Sequence, residues 1–161
     1  PIEGFDFFNS PLEFTAAAVE GKTIIMTTTN GTRAVAAVSK APRVIACSLN
    51  NLGAVARAVE RDRRVTVVCS GSSGSISMED LYCGGLLIER LADRPERLGD
   101  AGRIALMVAG AAGADALAVL ERSDRGRELI ETGYRADLEY CAALDSRVMV
   151  PELREEAFVV A

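Results

Sequence analysis

Apolar runs and helical spacings alternate along the first ninety residues of the chain. Three short apolar runs are each followed by a stretch in which apolar residues recur every three or four positions, the pattern of successive strand and helix units. The runs lack strict alternation, which indicates burial on both faces. We therefore predict an α/β fold, a three-layer α/β/α arrangement built from βα units with a mainly parallel sheet and right-handed crossovers. The predicted strands cover residues 23–28, 43–48 and 65–69, and the helices that follow cover 31–39, 53–61 and 77–92.

The second half of the chain has a mainly helical pattern. Ser123 is a candidate N-cap before a charged amphipathic run, and Gly133 is placed to end that helix. No repeat and no linker-like composition divides the sequence, so residues 1–161 are predicted to form a single α/β domain. The predicted helices cover residues 98–110, 115–121, 123–132 and 137–143, and short edge strands cover 148–150 and 158–160.

The charge balance narrows the classes of partner. The formal charge is −5, and the basic residues are scattered among acids. This argues against nucleic-acid binding, which needs clustered Lys and Arg. The sequence has no apolar run near the roughly 20 residues that a membrane span requires and no signal-like opening, so we predict a cytoplasmic protein without membrane contact.

Cysteine and histidine usage limits the possible chemistry. Cys47, Cys69, Cys83 and Cys141 make no CxxC pair, so a zinc knuckle or dithiol redox motif is not indicated, and reduced thiols are expected. The chain contains no histidine, which removes Ser-His-Asp and Cys-His catalysis. Any chemistry here must use carboxylates, hydroxyls, thiols, arginine, backbone dipoles or a hard metal ion.

A Gly/Ser-rich loop at residues 70–75 lies between a predicted strand and a predicted helix. Its backbone N–H groups are candidates for binding a phosphate. The spacing matches neither a Walker loop, nor a dinucleotide fingerprint, nor a Cys followed by five residues and an Arg. Cys69 is either a nucleophile with a pKa lowered by the helix N-terminus or a small residue that fills a tight junction. The candidate phosphate-binding residues are Ser70, Gly71, Ser72 and Gly74.

Two acids follow this loop in the first turn of the predicted helix. Ser77 with Asp80 three residues later is a near match to a capping box, while Glu79 and Asp80 can also take catalytic roles or hold a divalent cation. Adjacent helical residues diverge by about 100°, so the two carboxylates are not expected to share one task. One of them is expected to cap the helix and the other to bind.

A second polar loop follows the first predicted strand. In an open α/β sheet, ligands bind beyond the carboxyl ends of strands. Hydroxyls, an amide, a glycine turn and a guanidinium at a helix N-terminus form an anion-binding set, although Thr and Asn are equally common there as helix caps. The candidate residues are Thr28, Thr29, Asn30, Gly31, Thr32 and Arg33.

A third set of polar residues lies near the end of the chain. Asp137, Cys141 and Asp145 recur every four residues, which would stack them on one helical face. Two carboxylates on one face can bind a hard cation, and ordinary surface acids are the alternative.

Several ordered motifs resemble those of the 2-phosphosulfolactate phosphatase (ComB) family. They are NSPLE at residues 9–13, TTTNGTRA at 27–34, CxGxxGxxSxED at 69–80, the spaced pattern from Ser123 to Asp145, and Val150-Pro151. The resemblance implies a ComB-like α/β fold and a Mg²⁺-dependent phosphatase that converts 2-phosphosulfolactate, or a related 2-phospho-hydroxy acid, to the hydroxy acid and phosphate for coenzyme M synthesis.

The resemblance also suggests roles for the candidate residues. Mg²⁺ would be held by Glu79, with Asp137 as a second ligand, and the two loops would stabilise the transition state through their N–H groups. Asn30, Thr32 and Arg33 would contact the substrate's carboxylate and sulfonate. A metal-activated water is the preferred nucleophile and Cys69 the second choice.

The resemblance includes one departure, which bears on partners. Family members carry an N-terminal portion with an Asp-x-x-Arg-Ala-Thr-like motif, which is not seen in these residues, so pairing with such a segment or a homo-oligomer is expected. One alternative is a non-catalytic anion-binding or regulatory domain. Another is a nucleotide-dependent oxidoreductase, which the missing glycine fingerprint disfavours.

Overall fold

The computed structural model describes residues 3–91 and 98–160, and these fold into a mixed α/β structure dominated by helices. The 3₁₀ turns are Pro11–Glu13 and Leu49–Asn51. The α-helices are α1 (Ala16–Val19), α2 (Gly31–Val38), α3 (Leu52–Val59), α4 (Met78–Leu91), α5 (Asp100–Ala112), α6 (Ala116–Arg122), α7 (Asp124–Glu131) and α8 (Arg135–Ala142). The strands are β1 (Pro151–Arg154) and β2 (Ala157–Val160).

The helix boundaries follow local signals in the sequence, and the predicted helices are confirmed within a few residues. The Ser77 Oγ accepts the Asp80 N–H at 3.1 Å just before α4, and the Ser123 Oγ accepts the Gly126 N–H at 2.9 Å at the start of α7. Gly133 follows α7 with a φ of 86°, which a side chain would disfavour. Residue 92 of the third predicted helix lies outside the described residues.

The predicted strands are confirmed only in part. Within residues 3–91 and 98–160, the strands are β1 and β2, an antiparallel hairpin with Pro151 opposite Val160. Residues 44–46 run antiparallel beside β1, since the Ala46 N–H donates to Pro151 O and the Leu153 N–H donates to Val44 O, both at 2.9 Å. Residues 23–28 and 65–69 belong to no described ladder. The predicted three-layer parallel sheet is therefore not formed by the described residues.

The edge-strand predictions are partly displaced. Residues 158–160 lie within β2, as predicted, whereas residues 148–150 precede β1 and are not a strand. The apolar pattern located a hairpin near the end of the chain but did not fix where its first strand begins. Val148 is largely exposed, so burial of its side chain does not favour a strand at this position.

The hydrophobic core lies among the helices. Leu52 of α3 and Tyr82 of α4 are fully buried, and the Tyr82 hydroxyl donates to the Gly113 carbonyl at 3.0 Å. Helices α4 and α5 pack closely because Gly85 has no side chain: a Cβ built there would lie 2.2 Å from the Ala105 carbonyl oxygen. This packing fixes α4, whose first turn carries two of the candidate site residues.

The α5–α6 connection is a sharp bend. Gly113 ends α5 with a φ of 73°, and Asp115 begins α6 by accepting the Ala118 N–H at 3.0 Å. In the part of the chain that the structure describes, every helix falls short of the length and apolarity needed to cross a membrane alone. The pair α5 and α6 meets the criterion only together, with a 109° bend between them.

Candidate functional site

The two polar loops singled out from the sequence meet in the structure. The Asn30 Oδ1 accepts the Ser73 N–H at 3.1 Å, across 43 positions of sequence. Asn30 occupies the N-cap position of α2, yet its side chain makes no capping hydrogen bond there and reaches the other loop instead. The N-terminus of α2 and the loop that leads into α4 are thereby joined through one amide side chain.

Hydrogen bonds within the loop at residues 28–33 stabilise the start of α2. The Thr28 Oγ1 accepts the Thr32 N–H at 3.1 Å, and the Thr32 Oγ1 donates to the Thr28 carbonyl at 2.7 Å. A Cβ at Gly31 would lie 3.0 Å from the Thr28 Oγ1, so a side chain there would crowd this cap. Thr28, Gly31 and Thr32 therefore have a structural role that the sequence pattern left open.

The remaining residues of the 28–33 loop are available to a ligand. Thr29 and Arg33 are exposed, and Arg33 lies in the first turn of α2. No carboxylate among residues 3–91 and 98–160 forms a salt bridge with this guanidinium. A guanidinium beside a helix N-terminus provides donors and positive potential for an anion.

The 70–75 loop forms a tight turn in which most backbone N–H groups are already hydrogen-bonded. The Ser72 N–H donates to Ser75 O at 3.0 Å, and the Ser75 N–H returns to Ser72 O at 2.8 Å. Gly71 has a φ of 70°, and a Cβ there would lie 2.7 Å from Ser75 O, so glycine is required at this position. The N–H of Gly71 goes to Asp80 and that of Ser73 goes to Asn30.

This arrangement alters the picture of an open phosphate cradle. The N–H groups at positions 71, 72, 73 and 75 all have protein acceptors. Only the N–H groups of Ser70 and Gly74 lack an acceptor among the described residues of this loop. The sequence indicates how many N–H groups the loop contains, whereas the geometry of the turn determines how many of them are available to a ligand.

Asp80 connects the loop to the helix that follows. Its Oδ2 accepts the Gly71 N–H at 2.7 Å, and its own N–H donates to the Ser77 Oγ. The Asp80 carboxylate thus binds the backbone of the loop, whereas the side chain that caps α4 is that of Ser77, and a ligand-binding role for either acid stays a prediction. Glu79 is half-buried in the first turn of α4 and remains the candidate ligand of the pair.

Cys69 does not have the environment of an activated thiolate. Its sulfur lies against α4, 3.8 Å from where a Cβ of Gly84 would be. Burial of the thiol raises the pKa of Cys69, and the nearby Asp80 carboxylate raises it further. Desolvation and a negative charge both favour the protonated thiol, so of the two roles considered for Cys69 this environment favours the small residue at a tight junction.

A pair of thiols that the sequence did not reveal lies beside Cys69. The neighbouring Cys83 side chain lowers the pKa of Cys47, and Cys47 together with burial raises the pKa of Cys83. Burial opposes the change at Cys47, Arg90 assists it and Asp145 opposes it. The two cysteines are separated by 36 positions of sequence, so no spacing motif could have indicated this contact.

These three cysteines line one cavity of about 500 Å³, which we call the thiol cavity. Ile45, Cys47 and the run 65–70 contribute to its lining. Further lining residues come from α3 and α4, including Val55, Val59, Asp80, Cys83, Gly84 and Leu87.

Asp137 lies in the first turn of α8, in a different cavity from the three cysteines. It is buried, it accepts a hydrogen bond from the Ser10 Oγ at 2.8 Å, and it lines a cavity of about 1110 Å³ shared with Tyr134 and Cys141. Burial is the larger cause of a raised pKa at Cys141, and Asp137 adds to it. Glu79 does not line this cavity, so the structure does not bring the two predicted metal ligands together.

Asp145 does not share the face of α8 that carries Asp137. It lies beyond the end of the helix with a φ of 52°, accepts the Gly53 N–H and pairs with Arg90 at 3.0 Å. The predicted four-residue stack therefore holds for Asp137 and Cys141 and fails at Asp145, since the helix ends at Ala142.

The carboxylates fit a Mg²⁺ ion only in part. No group of three Cys, Asp or Glu side chains within the described ranges is arranged to hold a metal. Mg²⁺ commonly uses one or two carboxylates together with substrate phosphate and water, so a dedicated protein cage is not required. Of the predicted ligands, Glu79 lies next to Asp80 in the first turn of α4 and Asp137 is buried in α8, and their role as Mg²⁺ ligands stays a prediction.

Comparison with known proteins agrees with the motifs. The family model described as 2-phosphosulpholactate phosphatase matches residues 1–156. The chain belongs to this family. The resemblance predicted from the motifs is thus confirmed, and family membership applies to nearly every element described above.

Individual relatives carry the same description. Proteins named probable 2-phosphosulfolactate phosphatase from Gloeobacter violaceus and Symbiobacterium thermophilum are 40% and 37% identical to this chain. The alignments cover 93% and 99% of the chain but 63% and 70% of the relatives. A relative of the same name from Caldanaerobacter subterraneus subsp. tengcongensis is 37% identical, with 64% of its length covered. The chain thus spans about two thirds of the length of these family members.

Proposed function

We propose that this protein acts in the hydrolysis of the phosphate monoester of 2-phosphosulfolactate, or of a related 2-phospho-hydroxy acid, to the hydroxy acid and inorganic phosphate. Family membership and the names of the relatives support the reaction class. The observation that carries the proposal to particular residues is the hydrogen bond between Asn30 and Ser73. It unites the two loops that the motifs point to at one candidate site.

The electrostatics of the joined loops suit an anionic substrate. Helices α2 and α4 both begin beside them, and a helix N-terminus carries partial positive charge. Arg33 and Thr29 supply exposed donors, and Ser70 and Gly74 supply N–H groups. A substrate with phosphate, carboxylate and sulfonate groups needs several such donors, which is why we assign a small phosphorylated acid rather than a neutral ligand.

Water is the proposed nucleophile. A water oxygen attacks phosphorus and the bond from phosphorus to the substrate's hydroxyl oxygen breaks. The proton that the water loses passes to solvent, and the released alkoxide takes up one proton from solvent, which gives the hydroxy acid. Cys69 is disfavoured because its raised pKa keeps the thiol protonated near neutral pH. The chain's own part in this step is to orient the phosphate and stabilise its developing charge through loop donors.

Mg²⁺ is part of the proposal as the ion that would neutralise phosphoryl oxygens when bound. Glu79 is the residue of this chain that would hold it, next to the loops. Binding can be measured apart from turnover by titrating MgCl₂ into the protein in a calorimeter. A Glu79→Gln variant is expected to lose Mg²⁺ affinity, Asp137→Asn is expected to keep it, and unchanged affinity in Glu79→Gln would remove this assignment.

The parallel sheet, the cellular location and the binding partners of the protein are further proposals. The order of apolar run and helix in residues 23–91 supports a parallel three-layer α/β/α sheet as the fold of the family's full length. We further propose a role in coenzyme M synthesis and a cytoplasmic setting. The proposed partners are a small phosphorylated acid and a second copy of the chain, and the acidic charge balance disfavours nucleic acid.

Phosphate release from synthetic 2-phosphosulfolactate tests the reaction. This chain and the intact Gloeobacter violaceus relative would be assayed in parallel with Mg²⁺ and with a chelator. Asn30→Ala is expected to lower kcat/KM by about tenfold or more, because it separates the two loops. Ser39→Ala, at the other end of α2, is the matched control and is expected to leave kcat/KM unchanged. No phosphate release from either protein would overturn the proposal.

A second candidate function is anion binding without catalysis. It is favoured because no group of three Cys, Asp or Glu side chains among residues 3–91 and 98–160 is arranged to hold a metal ion for catalysis. Calorimetric titration with phosphate and sulfolactate separates the two functions. Binding without turnover, in a protein assayed with Mg²⁺ beside an active relative, would favour this second function.

A further inference from the structure

Asp137 is a buried carboxylate without a cationic partner in the described chain. Only 7% of its surface is exposed, and its side chain accepts one hydrogen bond, from the Ser10 Oγ to Oδ1 at 2.8 Å. Within residues 3–91 and 98–160 it forms no salt bridge. Removing a carboxylate from water is costly unless a cation or several donors compensate the charge. One hydroxyl compensates it only in part, so Asp137 favours the binding of a further donor that carries positive charge.

The second carboxylate oxygen of Asp137, Oδ2, is accessible from a cavity. It accepts no hydrogen bond from residues 3–91 and 98–160, whereas every buried polar side-chain atom of these residues has a partner. Oδ2 is therefore in contact with solvent, although the residue as a whole is buried. Asp137 lines the cavity of about 1110 Å³ described above, which we call the Asp137 cavity, and a ligand can reach Oδ2 through it.

Two cationic side chains line the Asp137 cavity, and both are engaged elsewhere. The Lys22 Nζ donates to the Ala18 carbonyl at 2.6 Å, and Arg125 pairs with Glu128 at 2.6 Å. The positive charge that Asp137 favours is therefore left to a ligand.

Aromatic rings form much of the remaining lining. Phe7 and Phe14 lie with their ring centroids 5.3 Å apart. Ser10 caps the 3₁₀ turn that Phe14 follows, so the residue that bonds Asp137 also helps to position this aromatic pair. An aromatic face attracts a cation and buries hydrocarbon at the same time. Other apolar or aromatic lining residues are Phe5, Phe8, Leu129, Tyr134 and Leu138.

We propose that the Asp137 cavity binds a small organic cation, namely an amine with an apolar body. The ammonium group donates to Asp137 Oδ2, and the hydrocarbon part packs against the aromatic lining. No residue of the 28–33 and 70–75 loops lines this cavity. The inference therefore goes beyond the proposed function, and it stands whether or not the loops take part in phosphate hydrolysis.

The donor set favours an amine over other cations. Oδ1 is occupied by Ser10, so a single oxygen is left, which suits one ammonium N–H rather than the two parallel bonds of a guanidinium. A bare metal ion is a poorer occupant, because no group of three Cys, Asp or Glu side chains within the described ranges is arranged to hold one. The aromatic rings also offer no oxygen ligands to a hard ion.

NMR titration of the isotope-labelled protein with matched probes tests the proposal. The probes are benzylammonium, the neutral benzyl alcohol and the anionic benzoate, added without divalent cations. Benzylammonium is expected to bind at least about tenfold more tightly than benzyl alcohol, because it adds a charge-assisted hydrogen bond, and benzoate is expected to bind most weakly. Equal affinity for benzylammonium and benzyl alcohol, or no binding of benzylammonium, would overturn the proposal.

Two Asp→Asn variants place the binding in the cavity. Asp137→Asn keeps an oxygen for the Ser10 hydroxyl, so the fold is expected to be retained, but the preference for benzylammonium over benzyl alcohol is expected to be lost. Asp6→Asn removes the same charge from an exposed position that lines the same cavity, and it is expected to keep the preference. An unchanged preference in Asp137→Asn would overturn the proposal. Displacement of benzylammonium by MgCl₂, but not by NaCl at equal ionic strength, would identify a metal ion as the occupant and would overturn it as well.

Discussion

The carboxylate of Asp80 accepts the backbone N–H of Gly71 at 2.7 Å, and this contact ties the 70–75 loop to the first turn of α4. Asp80→Ala is expected to lower the free energy of unfolding by about 1–3 kcal/mol, because a charge-assisted hydrogen bond is lost. Asp80→Asn is expected to cost less, since an amide oxygen can accept the same N–H. Urea denaturation without divalent cations measures both changes.

Glu79→Ala is the matched control for this prediction. It removes a carboxylate from the adjacent position in α4, where the side chain makes no hydrogen bond to the backbone of residues 3–91 and 98–160, and a change within about 0.5 kcal/mol is expected. Equal losses in Asp80→Ala and Glu79→Ala would show that negative charge at the helix N-terminus, and not the Gly71 contact, supplies the stability.

The closeness of α4 and α5 makes Gly85 sensitive to substitution. A Cβ at this position would meet the Ala105 carbonyl oxygen at 2.2 Å and the Ala109 Cβ at 2.8 Å. Gly85→Ala is expected to destabilise the protein by about 1–3 kcal/mol through forced separation of the helices. Thermal unfolding followed by circular dichroism measures the effect.

Gly110 supplies the control in the opposite direction. It lies in α5, and a Cβ there meets no atom within 4 Å. Gly110→Ala is expected to stabilise the protein by about 0.5–1 kcal/mol, because alanine favours the helix. A loss of stability in both variants would contradict the packing described for α4 and α5.

The hydrogen bond from Ser10 to Asp137 joins the N-terminal segment to α8. Both residues are buried, so Asp137→Ala leaves a hydroxyl without its partner and is expected to cost about 1–3 kcal/mol. Asp124→Asn, an exposed acid on α7, is the control and is expected to change stability by less than about 0.5 kcal/mol. A smaller loss in Asp137→Ala than in the control would contradict the role of this contact.

The helices were predictable because their signals are local. Ser77, Ser123 and Gly133 fix helix ends through bonds or dihedral angles within a few residues. The parallel sheet was predicted on equally apolar runs, but a strand needs a partner that is distant in sequence. Residues 44–46 find β1, whereas residues 65–69 find no partner in the described chain, and the apolar pattern cannot distinguish the two cases.

The candidate site shows the same division. The motifs selected both loops, and the Asn30 side chain does join them. Residue type did not show that Thr28 and Thr32 are occupied with each other, or that Asp80 is occupied with Gly71. Such pairings depend on backbone geometry at each turn.

Buried thiols predict loss of stability at alkaline pH. Burial is the main cause of a raised pKa at Cys141, so the folded protein favours the neutral thiol. A free thiol in the unfolded chain ionises near about pH 8.5. Above that pH the unfolded state binds fewer protons than the folded state, and the free energy of unfolding falls as pH rises toward the raised pKa.

Urea midpoints measured under reducing conditions between pH 7.5 and pH 10.5, in about one-unit steps, test this sign. The wild-type midpoint is expected to decline above about pH 8.5, and Cys141→Ala is expected to decline less steeply because one thiol that resists ionisation is gone. A decline in Cys141→Ala as steep as that of the wild type would contradict the raised pKa of this thiol.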